Sequence, residues 1–139
     1  MKPSIILAST FFTGAGVMHF VRPDFFESIV PDWFPNPKLA NQVSGAAELT
    51  LGLGLLPPAT RRAAAFGLIG LLAAVFPANA DMAINNVEIT PVDAKMTRSV
   101  GTATGANRLV NWARLPLQIP LAVAMWRIAQ RHDDPISPN

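Results

Sequence analysis

Four apolar runs, each close to the length a helix needs to cross hydrocarbon, constrain this chain more than any single residue does. Pro3 to Met18 contains no charged residue, and continuing to Val21 gives 19 positions, near the roughly 20 required for a span. A second run over 39–56 carries one charge, Glu48, and ends at Pro57 and Pro58, which cannot continue a helix. Arg61 and Arg62 open a third run over 62–82, uncharged from Ala63 to Ala80. A fourth, 107–129, is the most polar, with Arg114, Gln118, Pro116 and Pro120. Lys2 ahead of an apolar core also suits a signal peptide; the first run is read as a retained span.

The expected fold is therefore all-α: one domain, an integral membrane antiparallel four-helix bundle over residues 1–139. Composition agrees, because half the residues are hydrophobic and 14% are charged, too few to solvate an ordinary globular surface. Mean hydropathy is a mild +0.32, diluted by 13 prolines and two polar connections. The absence of cysteine removes disulfides and thiolate metal ligands. A net charge of +2 on scattered basic residues leaves no nucleic-acid footprint.

The first connection, 22–38, mixes Phe25, Phe26, Trp33 and Phe34 with acids and prolines, which suits a membrane interface and a lid. The connection 84–106 reads as an aqueous loop or a mobile lid, and the tail with Asp133 and Asp134 as a frayed, solvated end. Arg61 and Arg62 in the shortest turn favour cytoplasmic termini.

Ionisable groups inside a span are costly, so they face the bundle interior and find partners. Glu48 and Arg114 are opposite in sign and, at 1.5 Å per residue, lie roughly 13 and 10 Å below the face of the long connections. Gln118 lies roughly 16 Å deep, and His19 and Asn79 within roughly 5 Å of that face. Asn107, Asn111, Arg114 and Gln118 share one helix face, and Ser44, Glu48 and Gly52 another. The expectation is one polar pocket in one leaflet. Glu48 and His19 are its candidate catalytic groups, and Arg114, Gln118, Asn79 and Asn111 its candidate ligand-binding groups. A purely structural Glu48–Arg114 pair remains the alternative. No HxxxH or cysteine spacing indicates a metal, and neither G-x-S-x-G nor a phosphate loop is present.

The stretches GVMHFVRPDFFESIVPDWFP, SGAAELTLGLGLLP, TRRAAAFGLIGLLAAVFPAN and RLPLQIPLAVAMW resemble the DoxX-like family of small bacterial membrane proteins. The resemblance implies a four-helix bundle in the bacterial plasma membrane. It also implies an anchor or subunit for an oxidoreductase partner, with a quinone as the ligand. Self-association is a separate expectation. Two rivals stand beside it: a membrane enzyme acting on a lipophilic substrate with Glu48 as acid or base, and an assembly protein without a ligand.

Overall fold

The computed structural model describes residues 1–131; the acidic tail expected to fray lies outside the described residues. Four long helices form: α1 (Pro3–Val21), α3 (Pro37–Gly54), α4 (Pro58–Ile84) and α5 (Gly105–Ala129), with a short α2 (Pro23–Ile29) after α1. Proline stands at the first position of α1, α2, α3 and α4, where its fixed φ suits the helix and its missing N–H is not needed. Much of the proline content is therefore helix punctuation. Pro77, Pro116 and Pro120 lie inside helices instead.

The long helices pack in the order α1, α3, α4, α5, each antiparallel to the next. A Cβ built on Gly16 would meet Leu49, and one on Gly52 would meet Thr13, which fixes α1 against α3. Gly67 abuts Leu51, and Gln118 donates to the Leu72 carbonyl at 3.1 Å. The α1–α3 seam is closest, because a Cβ on Gly16 would lie 2.5 Å from the Leu49 backbone nitrogen. Glycine is needed there for backbone approach rather than for its φ.

The tight core lies at one end of the bundle. Ile5, Phe12, Leu55, Ala64, Ala65, Leu68, Met125, Ile128 and Ala129 pack together around the α3–α4 turn. Arg61, expected to set topology, is buried at that turn and caps α3, donating to the carbonyls of Leu55 at 2.9 Å and Leu56 at 2.8 Å.

The opposite end departs from an all-α fold. The connection expected to be an aqueous loop contains an antiparallel hairpin, β1 (Glu88–Val92) and β2 (Lys95–Ser99), in register Val92↔Lys95 to Glu88↔Ser99. Ile89, Thr90, Val92 and Thr97 supply branched side chains suited to strands. The turn hides this from the sequence, because Asp93 and Ala94 adopt φ of 47° and 64° without a glycine, where two-residue hairpin turns favour Asn-Gly or Asp-Gly. Ala94→Gly should therefore stabilise the hairpin by about 0.5–1 kcal/mol. Slower amide exchange across β1 and β2 checks this, and unchanged or faster exchange contradicts the turn geometry.

α2 docks on β2. Met96 N–H donates to Asp24 Oδ2 at 3.1 Å, and this bond holds the Asp24 carboxyl below its ordinary range. The Ser28 hydroxyl sits 2.7 Å from the Asp24 carbonyl and 2.9 Å from that of Met96. Among the described residues two helices, α1 and α4, are long and apolar enough to cross a membrane, rather than the four expected: α3 and α5, with their polar side chains, do not reach that apolarity.

Candidate functional site

Away from the core the helices enclose a cavity of about 310 Å³. Its polar end comprises His19 from α1, Asn41, Ser44 and Glu48 from α3, and Asn79 from α4. Positions 41, 44 and 48 recur at helical spacing, which puts them on one face of α3. The apolar remainder comes from Ala74, Val75 and Ala78 on α4, and from Phe26, Ile29, Val30, Trp33 and Phe34 on α2 and the segment after it. The first connection thus lies over the cavity.

His19 is held from three sides. Asn41, itself buried, donates from Nδ2 to the His19 carbonyl at 3.0 Å and turns Oδ1 toward His19 Nδ1 at 2.7 Å. The Phe26 ring stacks on the imidazole at 3.9 Å between centroids and 27° between planes. Gly45 provides the floor, because a Cβ there would lie 2.5 Å from His19 Cβ. The amide orientation decides the tautomer: Asn41 Oδ1 can only accept, so Nδ1 carries a hydrogen and Nε2 is left to face Glu48. Nε2 and Glu48 Oε2 are 3.4 Å apart. That is ion-pair contact without hydrogen-bond geometry, and Oε2, although shielded from solvent, has no hydrogen-bond partner among the described residues.

The residues grouped by depth separate at this point. His19, Glu48 and Asn79 share the cavity, whereas Arg114, Asn111 and Gln118 do not. The expected Glu48–Arg114 pair does not form, because α4 stands between α3 and α5 in the packing order. Equal height did not imply equal direction. Arg114 lines a separate cavity of about 90 Å³ with Phe25, Met82, Glu88 and Asn107. Asn111 is a buried clamp, donating to the carbonyls of Met82 at 3.1 Å and Val87 at 2.7 Å. Gln118 borders an open apolar groove between α4 and α5 with Leu72, Phe76 and Leu115. Among the described residues no three His, Asp or Glu side chains converge to hold a metal.

Arg98 on β2 is the main polar group the sequence did not single out. It contacts Asp81 of α4 directly, approaches Asp32 of the covering segment at 3.4 Å and donates to the Ser28 carbonyl at 3.4 Å. One guanidinium therefore joins the hairpin, the bundle and the cover of the cavity. The family described as a domain of unknown function, DUF8561, matches residues 7–129. The chain belongs to the DUF8561 family. This match overturns the DoxX-like resemblance, for which no family match exists; the expected oxidoreductase partner and quinone rested on that resemblance and lose their support with it. No curated protein and no solved structure matches this DUF8561 chain. The matched stretch includes every residue of the His19 cavity.

Proposed function

We propose that this is a four-helix membrane protein that binds a small lipophilic molecule in one leaflet, with the polar head of the ligand against His19 and Glu48. The apolar exterior supports the bilayer part of the reading: only 17% of the most apolar stretch of α4, and 28% of that of α1, is buried within the chain. A core helix of a soluble protein would be mostly covered. Leu7, Phe76, Leu117 and Ile119 continue the exposed apolar surface around α1, α4 and α5, more than a soluble monomer ordinarily presents. In hydrocarbon α3 and α5 would turn Glu48, Asn41 and Asn111 inward, as polar groups in lipid require.

The shielded Glu48 Oε2, which faces His19 Nε2 at 3.4 Å and has no hydrogen bond among the described residues, carries the ligand reading at the polar end of a largely apolar cavity. A buried acceptor without a hydrogen bond is costly, and a cavity of this size with a few convergent polar groups is the usual form of a small-molecule site. The alternative in which Glu48 and Arg114 tie two helices together fails on geometry, since the two do not meet.

The test is extraction and mass spectrometry of small molecules retained by the protein in lipid nanodiscs. One lipophilic species approaching one per chain is expected, with affinity lowered about 10- to 100-fold in Glu48→Gln, the loss of one charge-assisted hydrogen bond. Recovery of bulk lipid alone, equally in wild type and variant, contradicts the proposal.

A further inference from the structure

Charge is unevenly shared around the cavity of about 310 Å³. Among the described residues that line it, Glu48 alone carries an ionised side chain, with no lysine or arginine to balance it. Asn41, Ser44 and Asn79 are neutral. Asn41 Oδ1 selects the Nδ1–H tautomer of His19, in which Nε2 presents a lone pair. Two acceptors thus face each other at 3.4 Å, Nε2 and Glu48 Oε2. The side-chain oxygens of Ser44 and Asn79 make no hydrogen bond among the described residues.

Such a lining favours hydrogen-bond donors and positive charge. We infer that the ligand is a lipophilic amine bound as its ammonium ion, with Glu48 as the counter-ion and the hydrocarbon body against Trp33, Phe34 and the apolar wall of α4. The inference rests on the ligand reading above and adds the chemical class of the head.

An isolated carboxylate in an apolar cavity is costly, and a cation beside it offsets that cost in a way a neutral alcohol does not. An ammonium brings three hydrogens and no acceptor, which suits a lining that offers the Glu48 carboxylate, the Ser44 hydroxyl and the Asn79 carbonyl. The faces of Trp33 and Phe34 also attract cations. An anionic head is disfavoured, because it would lie beside Glu48 with no cation in the lining to compensate. Beyond the wall formed by His19 and Asn41, Glu27 and Lys38 border a neighbouring cavity and are opposite in sign, so that side adds no net charge. Arg98 and Arg114 line neither cavity.

The experiment uses the full chain in phosphatidylcholine nanodiscs and probes of one chain length: decylamine, 1-decanol and decanoic acid. It is run at mildly alkaline pH, where an alkylamine is still an ammonium ion, and empty nanodiscs subtract partition into lipid. Decylamine should bind about 10- to 100-fold more tightly than 1-decanol, the worth of one charge-assisted hydrogen bond. Decanoic acid should bind more weakly than either. In Glu48→Gln the advantage of the amine should vanish, whereas Ser44→Ala, which leaves the charge in place, should keep most of it. The comparison of probes on the unaltered chain needs no variant to fold. Spectra of ¹⁵N-labelled histidine, with the His19 signals identified by their loss in His19→Gln, should show Nε2 without a proton before decylamine is added. Equal or tighter binding of 1-decanol or decanoic acid, or an imidazolium already facing Glu48, overturns the ligand class. If extraction still yields one retained species per chain, the amine alone fails and the ligand reading stands; if no probe binds saturably and no species is retained, both fall.

Discussion

Arg98→Met lowers the stability of the folded chain by about 3–5 kcal/mol, the usual cost of removing one partner from a buried ion pair. The side chains of Arg98 and Asp81 are only 10% and 11% exposed, so deletion of the guanidinium strands the Asp81 carboxylate away from water. Asp32 loses its partner too, although at 74% exposure water replaces most of what it had. The loss is thus concentrated in the contact between β2 and α4. Arg98→Met/Asp81→Asn should recover much of it, because two neutral groups leave no stranded charge. A denaturation cycle over the two single variants and the double variant, in one detergent, measures the coupling. Additive single effects would show that the pair does not hold the hairpin to the bundle.

Gly16→Ala should cost about 1–3 kcal/mol or more, the range for forcing volume into a packed interface. The added methyl would meet Leu49 N at 2.5 Å, Gly45 O at 2.8 Å and Leu49 Cα at 2.9 Å, all backbone atoms with no rotamer to yield. The helices must separate. That separation also lifts His19 from Asn41, since the same seam sets both distances, and the variant should lose its retained ligand. Gly14→Ala is the control: a Cβ there meets nothing within 4 Å, so helix propensity should leave it neutral or slightly stabilising. Thermal unfolding of the two variants side by side decides the matter, and equal midpoints would contradict the seam.

The long helices were legible because apolar runs bounded by proline have few other ways to fold. Pro3, Pro37 and Pro58 mark helix starts, and Pro57 with Pro58 marks the turn. The hairpin was not legible, because Asp93-Ala94 lacks the glycine that announces such a turn. Depth along a helix axis could be computed from residue number, and it placed His19, Glu48 and Asn79 in one leaflet. Direction around the axis could not be computed without the packing order, and so Arg114 was assigned to a neighbour it does not touch. Asn41 carried a weak signal, its position seven residues before Glu48 on the same face of α3. Phe26 carried none, because stacking on His19 depends on how α2 folds back. The family resemblance failed for a related reason: apolar helices draw on a small set of residues, so similarity among them reflects a shared solvent more readily than shared descent.

Spin labels placed one at a time at Leu7, Phe76, Leu117 and Ile119, exposed apolar positions on three helices, test most directly whether lipid surrounds this bundle. In reconstituted bilayers all four should collide readily with dissolved oxygen and scarcely with a water-soluble nickel chelate, while labels at Lys38 and Asp93 show the reverse. Ready access of the chelate to all four apolar positions would mean that water surrounds the helices, and the intramembrane site would fall with them.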